Sequence, residues 1–348
     1  MKMPCLCVLI LLGGLCPVRA QSLPTARPLV AKSFSNVADK EPLAKVLAEL
    51  SRQTGLEVDP GTVDVSAPIT AAFDKQPFWL VVEQLAEQSA SRVAVGRQGV
   101  PVRLMSLGKA KREPVSIDGP FRVAATSVDA RIDLRTGLTA YDLTLEVAWE
   151  SRLPVYRIDA APRIAQGRDD AGRPIRVLPI DARNPVAGVY SPLRVRLEGL
   201  TRQSQRIDLL QGTLGATVAE EMLRFRFDLG TPAVKQTKEG VEVSLNRFEK
   251  QGTAWLADVV LHYPDTSAAF ESFETYWLGR NRFTLIGPDG KTRVVCDDVE
   301  INGNSLRYRI KQSDFQPKDL KGWTLEYETP GPMREVPIAF TLKNIPLP

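Results

Sequence analysis

Residues 39–53 and 74–88 carry the same pattern twice, thirty-five positions apart. The first copy reads Asp39, Lys40, Glu41, Pro42, Leu43, then Val46, Leu47, Leu50 and Gln53; the second reads Asp74, Lys75, Gln76, Pro77, Phe78, then Val81, Val82, Leu85 and Gln88. In each, a proline stands in the first helical turn, where its missing N–H would have had no partner. Apolar residues at i, i+3, i+4 and i+7 then lay one stripe along a helix. Such a stripe must be covered, and short strand-like runs lie close by, around Phe34 and over 69–73 before the helices, over 56–58 and 93–95 after them, and over 102–105. The expected unit is a small α+β module of strand, helix, strand twice over (βαβ-βαβ) at residues 31–107, an Asp-Lys-x-Pro turn leading into each helix. Eight buried side chains at about 1.5–3 kcal/mol each offset much of the ordering entropy of such a unit.

The run Pro-Leu-x-x-Val-Leu-x-x-Leu-x-x-Gln-Thr-Gly-Leu at 42–56, with its partner at 77–88, resembles the short N-terminal domain shared by secretins and TonB-dependent receptors. That resemblance implies a periplasmic module that binds other proteins and is not a catalyst. It is confined to residues 31–107. Nothing downstream resembles a secretin ring or an outer-membrane barrel.

Ahead of the module, Lys2, an apolar stretch from Cys5 to Cys16, and Val18 and Ala20 before Gln21 predict a signal peptide over residues 1–20. Twelve apolar residues span about 18 Å as a helix, short of the roughly 30 Å of a bilayer's hydrocarbon core. A lipoprotein is the competing reading, because Cys16 follows an apolar run, but Gly13, Gly14 and Leu15 form a poor acylation signal. Residues 21–30, with Pro24 and Pro28, are expected to be a flexible leader. Cleavage would remove Cys5, Cys7 and Cys16 and leave Cys296, so no internal disulfide is expected. Cys296, within the apolar run 294–299, is expected to be a small buried side chain rather than a thiol used in dimerisation. The net charge of +4 falls to +2 without Lys2 and Arg19, too little to argue for nucleic acid. No later stretch approaches the roughly 18 uninterrupted apolar residues of a spanning helix. The chain is thus expected to be exported, periplasmic or extracellular, with no transmembrane segment after cleavage.

Residues 108–114, Lys-Ala-Lys-Arg-Glu-Pro after Gly108, are expected to be a linker. Beyond it the apolar period changes to two. Tyr141, Leu143, Leu145, Val147 and Trp149 alternate with polar neighbours, as do Leu193, Val195 and Leu197, and Leu223, Phe225, Phe227 and Leu229. With a hairpin at Asp170, Ala171 and Gly172, these predict an antiparallel β-sandwich of Ig-like type over 115–230. A second is expected over 231–348, from Trp255, Ala257, Val259, Leu261 and Tyr263, then Leu306, Tyr308 and Ile310, with a hairpin at Asp289 and Gly290. Phe340, Leu342 and Ile345 would be its last edge strand.

Catalytic residue types are scarce. His262 is the single histidine, and Asp258 at i−4 on the same strand lies about 13 Å away, too far to hydrogen-bond. One histidine and one remaining cysteine give no structural zinc site of the usual kind. Asp297, Asp298 and Glu300 could hold calcium, but the spaced ligand loop of an EF-hand is lacking, and a solvated hairpin is the plainer reading. No phosphate-binding glycine loop occurs; Gly212, Gly215 and Gly230 are expected at turns and bulges. The arginine pairs 194/196, 224/226 and 307/309 project from outer strand faces, either as a basic stripe for acidic glycan or lipid head groups or simply to keep sheet faces soluble. No catalytic, cofactor or metal residue is assigned. The expected role is an exported, non-enzymatic adaptor or scaffold binding an envelope protein. The alternative is a carbohydrate-binding protein or carboxylate-based hydrolase using exposed aromatics such as Trp277 or Trp323.

Overall fold

The computed structural model describes residues 29–97, 100–219, 221–231, 234–264 and 281–348. The expected signal peptide, most of the leader and Trp277 lie outside the described residues. The N-terminal module comprises β1 (Ser33–Pro42), α1 (Leu43–Thr54), β2 (Pro68–Pro77), α2 (Phe78–Gln88), β3 (Ser91–Arg97) and β4 (Val100–Ser106).

The duplication in sequence becomes a local two-fold axis. β1 and β2 pair antiparallel, Ser33 opposite Pro77, Val37 opposite Ala72 and Pro42 opposite Pro68, so repeat-equivalent Val37 and Ala72 face each other across the axis. Hydrogen bonds obey the same symmetry. Lys40 N–H donates to Thr70 Oγ1 (3.2 Å) and Lys75 N–H to Ser35 Oγ (2.9 Å); Ser35 N–H donates to Gln53 Oε1 (3.1 Å) and Thr70 N–H to Gln88 Oε1 (2.9 Å). Pro42 and Pro77 are the helix N-caps, and the first helical amides, of Leu43 and Phe78, donate to Ala67 O (3.0 Å) and Lys32 O (2.8 Å). All eight stripe residues are buried, in one core with Phe34, Ile69, Phe73, Val93 and Leu104.

Two expectations change here. The Asp-Lys-x-Pro segments are not turns but β-bulges inside continuous strands, with Lys40 and Lys75 in the left-handed region at φ 51° and 46°. The run at 56–58 is not a ladder strand: Leu56 is buried beneath the helices, and the following Asp59 makes a single parallel bridge to Arg103. The connectivity is strand–helix twice, closed by the β3–β4 hairpin.

The rest of the described chain is antiparallel β. It continues through β5 (Val115–Asp118), β6 (Phe121–Ile132), β7 (Thr139–Trp149), β8 (Val155–Asp159), β9 (Arg163–Asp169), β10 (Arg176–Val177), β11 (Arg183–Pro185), β12 (Tyr190–Glu198) and β13 (Arg206–Ala219). A second group is β14 (Met222–Asp228), β15 (Val234–Lys238), β16 (Val241–Gln251), β17 (Ala254–His262), β18 (Arg282–Ile286), β19 (Arg293–Cys296), β20 (Val299–Asn302), β21 (Ser305–Lys311) and β22 (Thr324–Pro330), followed by β23 (Met333–Pro346). In the first β unit a sheet ordered β10-β12-β7-β6-β5 shares one core with a sheet ordered β11-β8-β13-β23, β9 also pairing with β13. In the second, β14-β22-β18-β19 and β15-β16-β17-β21-β20 enclose Phe225, Phe227, Val259, Phe283 and Tyr308.

The last strand departs from expectation. β23 does not end the second unit; it pairs along all of β13, Arg206 opposite Pro346 and Ala219 opposite Met333, and its Ile338, Phe340 and Leu342 fill the first core. The division at 230/231 does not anticipate this return. Register also carries straight on into the second unit, where Met222 faces Pro330 and Asp228 faces Thr324, with Gly331 N–H donating to Glu221 O (2.9 Å) at the crossing. A single two-stranded ribbon therefore runs through both β units.

Gly212 and Gly215 sit inside β13 rather than at turns, Gly212 beside the expected kind of bulge, at the register shift against β9. A Cβ on Gly212 would lie 2.5 Å from Arg163 O, and one on Gly215 2.8 Å from the Asp159 carboxylate, because β9 and β8 share one edge of this strand. Gly212→Ala is expected to cost about 1–3 kcal/mol by forcing β9 away, read as a lowered midpoint in urea. Gly230 does lie in a turn, donating to Asp228 Oδ1.

The expected hairpin at 170–172 is present, with Gly172 at φ 78°, and its organiser is the buried Asp169. That carboxylate accepts from Ala171 N–H (3.0 Å), Arg173 N–H (2.8 Å), Arg173 Nε (2.7 Å) and Ser204 Oγ (2.8 Å). Burial alone would raise its pKa; the Ser204 hydroxyl, Arg173 and the turn amides reverse this and hold it below the usual carboxylate range. A depressed folded pKa gives stability that is present above the unfolded value and lost as pH falls through the folded one. Asp169→Asn is expected to cost about 2–3 kcal/mol near neutral pH. The gap from wild type should narrow as pH falls below about 4, which paired thermal melts would show.

Candidate functional site

The residues singled out from sequence are dispersed. His262 is exposed, with Nδ1 3.3 Å from Asn304 Nδ2, while Asp258 gives its carboxylate to Arg307 (2.8 Å). Cys296 is buried in the second core, its thiol pushed up by burial and directed at Arg309 O (3.3 Å). Asp297, Asp298 and Glu300 are exposed, and among the described residues no three His, Cys, Asp or Glu side chains gather as a metal site.

The arginine pairs lie on three different sheets, and Arg194, Arg196, Arg224, Arg226 and Arg307 meet acids across the strands. Arg194 (3.0 Å) and Arg196 both bind Asp142, whose carboxyl Arg196 chiefly holds below its ordinary range. Arg224 pairs with Glu328 (2.6 Å) and Arg226 with Glu326 (2.7 Å). Trp323 packs edge-on against Phe315, ring centroids 4.7 Å apart, at the rim of the second core. The alternation that marks Tyr308 as inward-facing gives no sign of its polar partners: Tyr308 and Asn281 both donate to Tyr327 Oη (3.4 and 2.8 Å). Burial pushes the Tyr308 hydroxyl up to about 12, so it stays protonated as a neutral donor.

What the fold does assemble is the seat between the module and the first β unit. Arg122, second residue of β6, is fully buried and reaches Glu83 on α2 (2.7 Å), Glu113 (3.0 Å) and Glu146 on β7 (3.3 Å). Burial alone would lower its pKa; the three carboxylates more than reverse that, and the guanidinium stays charged. Arg112 adds a second cation on Glu83 (2.6 Å), so the expected linker is tied into the seat. Trp79 Nε1–H donates to Pro120 O (3.0 Å), and Lys32 N–H to Glu150 Oε1 (2.8 Å). Gly96, at φ 65°, lies so close to the Tyr190 ring that a Cβ would sit 2.3 Å from it.

Beside this seat opens a cleft of about 830 Å³. Its walls are 92–94 of β3, 110–114, 125–128 of β6, Tyr190 and Pro192 of β12, and 344–346 of β23. Two strands present consecutive residues to it. β3 is laddered to β4 alone, and β6 loses β5 beyond Ala124 and bulges between Ala125 and Ser127. The cleft acids Glu113 and Glu146 are held by Arg122, and its hydroxyls, Thr126, Ser127 and Thr144, have no histidine beside them. Strand edges, a tyrosine ring and the cations Arg92 and Lys111 suit an extended polypeptide better than proton transfer. A second hollow, of about 900 Å³, carries Arg157, Asp159, Arg163 and Arg183; Arg183 is matched there by Glu335 (2.6 Å). Comparison with protein-family models, curated proteins and solved structures gave no match to this chain.

Proposed function

We propose that the protein is an exported, non-enzymatic adaptor of the cell envelope, periplasmic or extracellular, that binds an extended segment of a partner protein in the cleft between its N-terminal module and first β unit. The observation that carries this is a cleft walled by β3, laddered along one edge only, and by the part of β6 beyond its pairing with β5, beside a seat fixed by buried ion pairs. A strand laid there gains main-chain hydrogen bonds from the open edge and side-chain contacts from Tyr190 and Pro192. In this reading residues 31–107 are a secretin/TonB short N-terminal-like module, which fits the protein-binding role, and the two β units are Ig-like spacers.

The test is a photo-crosslinking residue at Ser127 in cells, followed by reconstitution with the purified captured protein. A stoichiometric complex is expected, and Thr126→Trp, which fills the cleft from an exposed position, should abolish it without lowering the melting temperature. Turnover of a glycan or other hydrolase substrate by the purified protein, abolished by a single Asp or Glu substitution, would overturn the adaptor reading in favour of the hydrolase.

A further inference from the structure

The β6–β7 hairpin extends past the core that supports it. From Thr126 to Ile132 every residue of β6 but Val128 is exposed, so both faces of the arm meet solvent near its end. At its tip stand Leu134, 93 % exposed, Leu138, 71 %, and Ile132, 45 %. Exposed leucines on a disordered loop would fold back on the nearest apolar surface, but this loop is held open. Asp133 N–H donates to Leu138 O (2.9 Å) and Gly137 N–H to Asp133 O (2.7 Å), with Gly137 in the left-handed region at φ 70°. The Asp133 carboxylate accepts the amides of Arg135 (2.8 Å) and Thr136 (3.2 Å).

The charges around the tip select what can cover it. Arg131 and Arg135 flank the leucines and are exposed, and Arg202 reaches the base of the tip through Thr139 Oγ1 (3.5 Å). The two nearby acids are engaged, Asp133 by the turn amides and Asp129 near Arg194 (3.9 Å). An apolar apex ringed by arginines matches the surface of an anionic bilayer, where acyl chains take the apex and lipid phosphates take the guanidinium groups. We propose that the 132–138 tip inserts into the headgroup region of anionic phospholipid bilayers, anchoring the protein peripherally. This does not depend on the cleft: it uses the tip of the hairpin, beyond the 125–128 stretch that lines the cleft.

Hydrogen exchange on the full chain tests it, with vesicles of phosphatidylcholine alone and of phosphatidylcholine with phosphatidylglycerol. Amides of 133–138 are expected to exchange at least about tenfold more slowly with the anionic vesicles at low salt, to recover at high salt, and to be unaffected by neutral vesicles. Leu134→Asp/Leu138→Asp should abolish the slowing while leaving the melting temperature in place, since both side chains are exposed. Arg131→Gln/Arg135→Gln should weaken the slowing and flatten its salt dependence. Unchanged exchange with anionic vesicles overturns the proposal, as does equal slowing with neutral ones. Slowing that appears without vesicles as protein concentration rises would overturn it in favour of a protein interface.

Discussion

A chain ending at Pro332 is expected to lose the first β unit while keeping the second. The deletion removes Val336, Ile338, Phe340, Leu342 and Ile345, all buried in the first core, and strips β13 of the partner along its whole length. Five such side chains at about 2 kcal/mol each amount to about 10 kcal/mol, comparable to the entire stability of an ordinary domain. The second core gives up only Met333. Hydrogen exchange separates the cases: amides of β7 and β13 should lose protection while those of β16 and β17 retain it. The reverse pattern would mean that β23 belongs to the second unit.

Arg122→Met is the next largest expected effect. The substitution keeps the aliphatic bulk but takes from Glu83, Glu113 and Glu146, all mostly buried, the cation they share, with Arg112 remaining on Glu83. Removing one partner of a buried ionic group costs about 3–5 kcal/mol, chiefly through the charges left behind. The test is a double-mutant cycle in urea: adding Glu83→Gln and Glu146→Gln to Arg122→Met should restore part of the loss, giving a coupling energy well above experimental error. If the losses simply add, the cluster does not act as a unit. The helix stripe around Leu50 is untouched by these changes, so helical circular dichroism should survive the weakening of the seat at moderate denaturant.

The contrast between these two sites shows what a linear pattern can reveal. The duplicated helices were legible because Pro42, Val46, Leu50 and Gln53 recur at a fixed offset, and the repeat carried their burial with it. Alternation likewise gave the inward faces of β7, β12 and β14. It does not give partners, because Ile338, Phe340 and Leu342 would alternate in the same way against any sheet, and sequence order alone puts β23 beside its neighbours rather than beside β13. Lys40 and Lys75 looked like turn residues because a bulge and a turn both use the left-handed region. The glycines of β13 suggest turns or bulges, and Gly212 does border one, but nothing in the chain announces that β8 and β9 share one edge. Arg122 did leave a signal, a lone cation in the apolar run from Phe121 to Ala125, but its three partners come from α2, the 108–114 segment and β7. The cleft is built from strand edges, and an edge is a property of the sheet, not of the residues that line it.

The common register of β13 and β14 against β23 and β22 also sets an order of events during synthesis. Apart from Tyr156, Ala219 and Met333, the whole second core lies between the two strands that complete the first, so the inner unit can close once β22 has emerged. The outer unit must wait for β23, holding the apolar faces of β7, β12 and β13 partly uncovered meanwhile. The first β unit, begun before the second, is thus completed after it, and a ribosome stalled ahead of β23 leaves a sticky half-sheet rather than a nearly complete unit.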